Sequence, residues 1–585
     1  MSKVHYGPRS ETRLVWFQRN QSLQQHSSII SANLKGGHPL VKFMATHGPA
    51  SSDSQMIGLM MDAGQDVARF NLSHATTSAE RSQLVQMLFR ARCEANKRGR
   101  QIACVADLKG PEFRTGHRED LSLNPGERVR LTTRDPAIVA SGDGPIIFVT
   151  PPLGYDLLRD LRGNGKKSET PKVLIDDGQI ELHLKGWPHV FDPEHPETDF
   201  FAVVKDGGVV HYRKGINFSG VSLPSLPSLV QEDREALAEI FDPDFLRQAC
   251  LSVFEEEGLD PKILGVLDRG KLLALGFDFV APSFVRLASD LQGYSDLLQS
   301  MGVSHVKFIP KIETVEAVEE KNLDAILQYP LNAAVMIARG DLSDAVGRPN
   351  VPRYTRLIMK GARKVGLAAI LATDVFPSLS QGAHQLSRSD ADALYSALVK
   401  GIDLVMFSNE TAVSGKNPPA DVIRLVVEAV NARGMELATC SDEMRGDQQR
   451  RVMSCMADRL RLRGGESVGI EAEFQAYLHM MTAAALMEAE RVVHANGVFV
   501  GGMILWSHKG GDSMRYAAQL NPSLPVYVVT DDLHVAREGA LLRSIFPILV
   551  RKKPRSSNEL AKIVASVLPV PEGQDKMAMM MVSNL

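Results

Sequence analysis

Cysteine is scarce in this chain, and that scarcity excludes several classes at once. The five cysteines (Cys93, Cys104, Cys250, Cys440 and Cys455) are scattered over 585 residues without a CxxC pair. Such usage fits a reducing compartment and offers neither a disulfide framework nor a zinc-ligand signature. Long apolar runs are also missing. The longest candidate, Gly497–Trp506, falls short of the roughly 18 residues that a membrane span needs and reads as a buried strand. Neither sign of charge is in large excess, and a net charge of -3 argues against a dominant nucleic-acid surface. What is present, 44% hydrophobic and 23% charged residues, is ordinary globular composition. The length suits several domains of roughly 100–200 residues each.

From residue 41 a rhythm sets in: a short apolar strand, a polar end, then helical sequence. Val41–Ala45 leads into Thr46-His47-Gly48-Pro49, Val67–Phe70 into Asn71-Leu72-Ser73-His74, and Ile102–Ala106 into Asp107-Leu108-Lys109-Gly110-Pro111. Phe277–Ala281 leads into Pro282-Ser283-Phe284-Val285-Arg286. Two strands follow between Val306 and Asp341, then Ala368–Ala372 leads into Thr373-Asp374 and Leu404–Phe407 into Ser408-Asn409-Glu410-Thr411. Amphipathic segments such as Leu84–Ala95 and Val422–Ala432 lie between. Eight such units predict a TIM barrel with its site at the C-terminal ends of the strands, against the alternative of a doubly wound open sheet.

Two stretches break the rhythm. Between His117 and about Arg213 short β-rich pieces with turns (Arg128–Thr132, Ile146–Val149, Val173–Ile175, Phe200–Val204) predict a small β domain inserted after the third strand. Glu239–Asp268 reads as extra helix with Phe241, Leu246, Val253 and Phe254 on its apolar side. Past about Gly434, an arginine-rich stretch (Asp442–Gly465) and a helical one (Ala472–Ala495) precede strands at Met503–Trp506, Val526–Thr530 and Pro547–Val550, a second α/β domain. The expected division is 1–37 as an N-terminal extension, 38–116 with 214–433 as the barrel, 117–213 as the insert and 434–585 as the C-terminal domain.

Chemistry gathers at the strand ends. V-K-F-I-P-K-I-E closes on Lys311 and Glu313, which two-residue spacing puts on one side of a strand. A-V-M-I-A-R-G-D closes on Arg339, Gly340 and Asp341. Two carboxylates beside a lysine and a glycine-exposed backbone suit a hard divalent cation and a phosphorylated anion. Arg69, Asn71 and Ser73 alternate in the same way. A guanidinium suits phosphate, and amide and hydroxyl oxygens suit a hard cation. Asp107 to Gly116 packs four charges around a glycine and a proline, as a hinge leaving a barrel strand would, with Asp107 an oxygen ligand and Arg114 an anion contact. Each end also reads as an ordinary strand running into a helix cap, with Ser73 as the N-cap.

A-R-F-N-L-S-H, D-L-K-G-P-E-F-R-T-G, I-D-D-G, P-K-I-E, A-R-G-D-L, A-T and S-N-E-T-A occur in the order and spacing of pyruvate kinase, from about Lys42 to Val550. The chain resembles that family. The resemblance implies a TIM barrel, a lid-like B domain and a C-terminal α/β domain. It implies transfer of the phosphoryl group of phosphoenolpyruvate to ADP, giving pyruvate and ATP in glycolysis. Glu313 and Asp341 would hold Mg²⁺ (or Mn²⁺), and Lys311 would stabilise charge on the transferring phosphoryl group and the enolate. The backbone of Ala338, Arg339 and Gly340 would hold the substrate carboxylate with the Thr373 hydroxyl, and Arg69 its phosphate. Asn71, Ser73, Asp107 and the carbonyl of Leu108 would bind K⁺. Pro49, Asn71, His74, Arg114 and Lys214 would border the nucleotide. A homotetramer is the family's usual assembly; neither nucleic acid nor membrane is an expected partner.

The chain also departs from that pattern. Leu108 stands where the family has threonine, although Glu112, which accompanies K⁺ dependence, is kept. Asp374 replaces a glutamine and Asn409 a glycine. The run Leu386 to Leu394 is degenerate, with Asp392 at the serine proposed to relay the enolate's proton. His508-Lys509-Gly510-Gly511-Asp512-Ser513 keeps the glycines of the effector-phosphate loop and loses most of its hydroxyls, so a plain turn is expected there. These departures leave a second reading: a weak or inactive regulatory subunit that binds nucleotide or phosphoenolpyruvate. A third is an enzyme for a different phosphoenol acid or nucleotide. The basic, serine-containing N-terminus to about Gly37 reads as a disordered or loosely docked extension rather than a transit peptide. Ser583-Asn584-Leu585 differs from the S-K-L peroxisomal address in its basic position. A cytoplasmic location is expected, with an organelle as the alternative.

Overall fold

A computed structural model describes residues 3–5, 11–18, 29–32, 40–111, 113–116, 119–132, 144–150, 172–176, 179–184, 199–211, 215–219, 227–373, 375–413, 417–439, 482, 500–507, 510–520, 522, 524–568 and 576–583. Several positions named above lie outside them: Glu112, Asp177, Gly178, Lys214, Asp374, His508, Lys509, Asn584, Leu585, the stretch 442–465 and all but Thr482 of 472–495.

Eight parallel strands form the central sheet: β1 (Lys42–His47), β2 (Val67–Asn71), β3 (Ala103–Asp107), β4 (Phe279–Ala281), β5 (Lys307–Phe308 and Lys311–Ile312), β6 (Ala334–Ala338), β7 (Ala368–Ala372) and β8 (Leu404–Phe407). Each pairs with the next, and β8 pairs back on β1. The two open edges of the sheet are the two halves of β5, so the sheet closes on itself. Pro310 splits that strand because it has no N–H to donate. Around it the ladder persists: Lys311 N–H donates to Pro282 O at 3.0 Å and Met336 N–H to Pro310 O at 2.9 Å. The expected TIM barrel is therefore the observed fold.

Alternation along the strands decides what faces where. Met44, Val67, Val105, Phe279, Met336, Ile370 and Met406 fill the barrel interior. Their neighbours Phe43, Ala68, Cys104, Val280, Ile337, Leu371 and Val405 face out against the helices. The same parity brings Thr46, Arg69, Asp107 and Lys311 to the inner side at the C-terminal end. Local signals start the helices where the sequence places them. Thr77 and Glu80 form a capping box before Ser78–Lys97, and Asp53 caps Ser54–Ala63.

Between β3 and β4 the chain builds a second, closed β-barrel whose strands run from Phe113–Thr115 to Gly215–Ser219, with its own core of Val129, Leu131, Val173, Leu182 and Val204. The extra helical stretch is also present, as Pro243–Glu256 and Lys262–Val266. Leu246, Cys250 and Val253 are buried there, and Ile263 and Val266 are exposed.

The C-terminal sheet runs Lys3–His5, Glu11–Gln18, Lys576–Ser583, Val500–Trp506, Val526–Thr530, Ile545–Val550, Ile29–Ala32. The N-terminal segment, expected as a disordered or loosely docked extension, instead contributes three strands. Glu11–Gln18 pairs antiparallel with Lys576–Ser583 over its full length. Residues 12 to 17 read T-R-L-V-W-F, an apolar and β-branched run that satisfies an otherwise open sheet edge. This domain packs on the opposite end of the large barrel through desolvated ion pairs. Asp278 is held by Arg92 at 2.8 Å and Arg537 at 2.7 Å, and Lys307 by Glu538 at 2.6 Å.

Candidate active site

The residues singled out at the strand ends converge. Arg69 on β2 donates from Nε to Asp107 Oδ2 at 2.6 Å and from Nη1 to Thr46 Oγ1 at 2.7 Å. Thr46 in turn donates to the Phe407 carbonyl at 2.7 Å, which locks the guanidinium across β8, β1, β2 and β3. Lys311 Nζ lies 3.2 Å from Asp107 Oδ1 and 3.2 Å from Glu313 Oε1. Glu313 Oε2 accepts the Phe284 N–H at 2.7 Å. Three strands thus supply one buried, alternating array of cation and carboxylate.

The electrostatics follow from that array. Burial works against the Asp107 carboxylate, but Arg69 and Lys311 outweigh it and hold its pKa below the usual range. Burial likewise opposes the Lys311 ammonium, and Asp107 and Glu313 outweigh it, so Lys311 stays charged. Glu313 goes the other way. Burial pushes its carboxyl up to about 7, Lys311 pulls it down and the nearby Asp341 adds to the rise. A buried carboxylate, Glu313, repelled by the half-buried Asp341 beside it suits a cation between them.

A second cluster sits beside it. The Gly340 N–H donates to Thr373 Oγ1 at 2.8 Å, and Arg339 Nε donates to the Thr373 carbonyl at 3.3 Å. A Cβ on residue 340 would meet Thr373 Oγ1 at 3.3 Å, so the close approach favours glycine. Thr373 has φ +52 and Phe284 also has φ +52. Neither is a glycine, and such a backbone costs roughly 1–3 kcal/mol, the kind of strain that collects at functional sites. It aims the Thr373 hydroxyl at Gly340 and the Phe284 N–H at Glu313.

Glu313 Oε1 and Asp107 Oδ1 are buried and face the Lys311 ammonium, at 3.2 Å each. With Asp341 at the start of helix Arg339–Val346, Glu313 offers the one or two carboxylates that a Mg²⁺ ion usually takes from protein, the rest of its shell coming from water and substrate oxygens. These residues fit a divalent cation. The proposed K⁺ donors are more occupied. Asn71 Oδ1 accepts the Ser73 N–H at 3.1 Å, and the Leu108 carbonyl accepts the Ser283 hydroxyl at 2.6 Å. Each such oxygen keeps a second lone pair, so a monovalent cation is compatible with them.

Not every expected residue joins the cluster. Pro49 and His74 are exposed at the rim, and Arg114 stands half-buried in the small barrel's first strand, opposite Gly215. In the degenerate run Asp392 is exposed, whereas Asp390 is buried and hydrogen-bonded to Ser378 through both its N–H and its hydroxyl. Sequence reasoning gave no role to Thr46, Ser283 or Phe284. The first two stood at polar strand ends, but the left-handed backbone of Phe284 has no sequence signal.

A family model described as pyruvate kinase, barrel domain, matches residues 39–242 and 270–422. The stretch it skips holds the two extra helices. The pyruvate kinase of Sporosarcina psychrophila is 26% identical over 527 residues, covering 89% of this chain and 73% of the relative. That of Geobacillus stearothermophilus is 30% identical over 377 residues, 64% of this chain and 54% of the relative. Pyruvate kinase 2 of Synechocystis is 27% identical over 516 residues, 88% and 71%. With an eight-stranded barrel, a β-barrel inserted after its third strand and a charged array at the strand ends, the chain belongs to the pyruvate kinase family.

Proposed function

We propose that this chain catalyses phosphoryl transfer from phosphoenolpyruvate to ADP and protonation of the resulting enolate to pyruvate. The observation that carries the reading is the array Arg69, Asp107, Lys311 and Glu313, in which buried carboxylates alternate with cations at ion-pair distance. Phosphoryl transfer needs little covalent chemistry from a protein; it needs positioning and a fixed positive field. Lys311 supplies that field where charge develops on the phosphoryl and enolate oxygens. Arg69 orients the phosphate. The backbone of Ala338, Arg339 and Gly340 with the Thr373 hydroxyl takes the substrate carboxylate at the start of a helix, where N–H groups converge. Glu313 and Asp341 would hold Mg²⁺ or Mn²⁺, which when bound neutralises charge on the phosphoryl oxygens. Asn71, Ser73, Asp107 and Leu108 would hold K⁺. Pro49, His74, Arg114 and Lys214 would line the nucleotide side, and the inserted barrel would close over it as a lid.

The competing reading, a weak or inactive regulatory subunit, draws on the run Leu386 to Leu394, where Asp392 faces solvent and Asp390 is committed to Ser378. A coupled assay of purified protein with phosphoenolpyruvate, ADP, Mg²⁺ and K⁺ decides between them: turnover well above that of a Lys311→Met control is expected, and turnover equal to it would sink the enzymatic reading. A homotetramer and a cytoplasmic location belong to the same proposal, to be tested by light scattering and cell fractionation.

A further inference from the structure

Asp233 lies in the first turn of helix Gln231–Ile240, soon after the chain returns from the inserted barrel. An acid there ordinarily serves its own helix. Here the carboxylate reaches a different segment: Oδ1 accepts the Lys109 N–H at 3.0 Å and Oδ2 the Gly110 N–H at 2.9 Å. Those two amides form the turn from which the chain leaves β3 for the small barrel. The same helix reaches the turn a second time, with Glu232 Oε1 at 3.6 Å from Lys109 Nζ. Asp233 is 2% exposed, and burial pushes its carboxyl up to about 6. An acid held at that cost is doing more than filling a surface.

The turn is pinned from the opposite side as well. Leu108 donates its N–H to the Ala281 carbonyl at 3.1 Å and accepts the Ser283 hydroxyl at 2.6 Å. Gly110 has φ +67, and a Cβ there would lie 2.7 Å from Ser283 Cβ. Ser283 is itself anchored through its carbonyl to the Ser228 hydroxyl at 2.8 Å, on the returning connection. The next residue, Phe284, donates the N–H that holds Glu313. Both connections of the inserted barrel, the β4 loop and a proposed metal carboxylate therefore form one continuous set of contacts.

We infer that Asp233 is a positioning residue for the reaction: it clamps the outgoing hinge of the inserted barrel and, through Ser283 and Phe284, keeps that hinge in register with Glu313. The inference rests on the proposed activity for its kinetic consequence, but not for its structural one. Asp233→Asn presents one acceptor and one amide donor to two N–H groups, so one of them is left unpaired. Ser283→Ala loosens the other side of the turn with less disturbance.

The test compares wild type, D233N and S283A by steady-state kinetics and by hydrogen exchange of peptides covering residues 106–116 and of distant barrel peptides. D233N should lower kcat about ten- to a hundredfold, as a misplaced catalytic geometry does. The KM for phosphoenolpyruvate, whose proposed ligands lie elsewhere, should change less than about twofold. Exchange should quicken at 106–116 alone, and S283A should move both readouts the same way by less. Unchanged exchange at the hinge, exchange quickened throughout the barrel, or a normal kcat with a loosened hinge would each overturn the inference. If D233N does not fold, S283A decides by the same criteria. If wild type shows no turnover, the activity proposal fails, and localised exchange still decides the hinge clamp.

Discussion

Lys311→Met is the perturbation with the most to say about this site. The ammonium lies 3.2 Å from one oxygen of Asp107 and 3.2 Å from one of Glu313. At an effective dielectric of about 20, each contact is worth roughly 5 kcal/mol before desolvation of the ammonium, which returns several kcal/mol. Truncation leaves Glu313 without a cation and Asp107 with Arg69 alone. Stability should therefore fall by about 3–5 kcal/mol, the usual result of breaking a buried pair from one side. Catalysis should suffer separately. Loss of one preorganised charge typically costs a factor of about 10² to 10³ in kcat. The assay is pyruvate release coupled to NADH oxidation, run below the melting temperature of the variant as fixed by circular dichroism. Turnover within about threefold of wild type, in protein shown to be folded, would refute the placement of the reacting phosphoryl group beside Lys311.

Other consequences can be checked as directly. Glu313→Gln removes one charged donor, so the Mg²⁺ concentration for half-maximal rate should rise at least about tenfold, and Mn²⁺ binding followed by paramagnetic resonance should weaken in parallel; an unchanged metal requirement would remove Glu313 from the ligand set. His47 is buried, receives the Gln65 amide at Nε2 and sits against the Ser51 carbonyl, and its burial lowers its pKa from 6.5 to about 4. A base depressed in the folded state protonates first in the unfolded chain, so stability is intact above about 6.5 and falls by roughly 3 kcal/mol as pH drops to about 4. The slope of melting temperature against pH in that window should flatten in His47→Asn. Arg537→Ala leaves the buried Asp278 at the base of the barrel with Arg92 as its one remaining ion-pair partner and should cost about 1–3 kcal/mol; calorimetry should show the C-terminal domain melting ahead of the barrel, and a wild-type profile would mean the pair contributes nothing net.

Much of this architecture is legible in the sequence. Eight apolar runs each ending in polar residues dictate a barrel with its chemistry at one end, because a strand buried on both faces cannot carry charge except where it emerges. Two-residue spacing put Lys311 and Glu313 on one side. The motifs named the family, and the β-rich composition of the insert marked it as a separate fold. Local sequence could not show that Arg69, Asp107 and Lys311 touch. Arg69 and Asp107 meet because β2 pairs with β3, and Lys311 reaches Asp107 once the sheet has curled round to β5. Nor could it show the left-handed backbone at Phe284 and Thr373, since strain of that kind is imposed by the surroundings and not by the residue. The N-terminal strand departs from the sequence expectation for a related reason. Glu11–Gln18 has β-forming residues but no partner within reach along the chain; Lys576–Ser583, at the far end, supplies the ladder. Composition and period determined which elements form and which residues could react. Tertiary contact, by removing water and bringing distant charges within 3.2 Å, decided which of them are held in a state to do so.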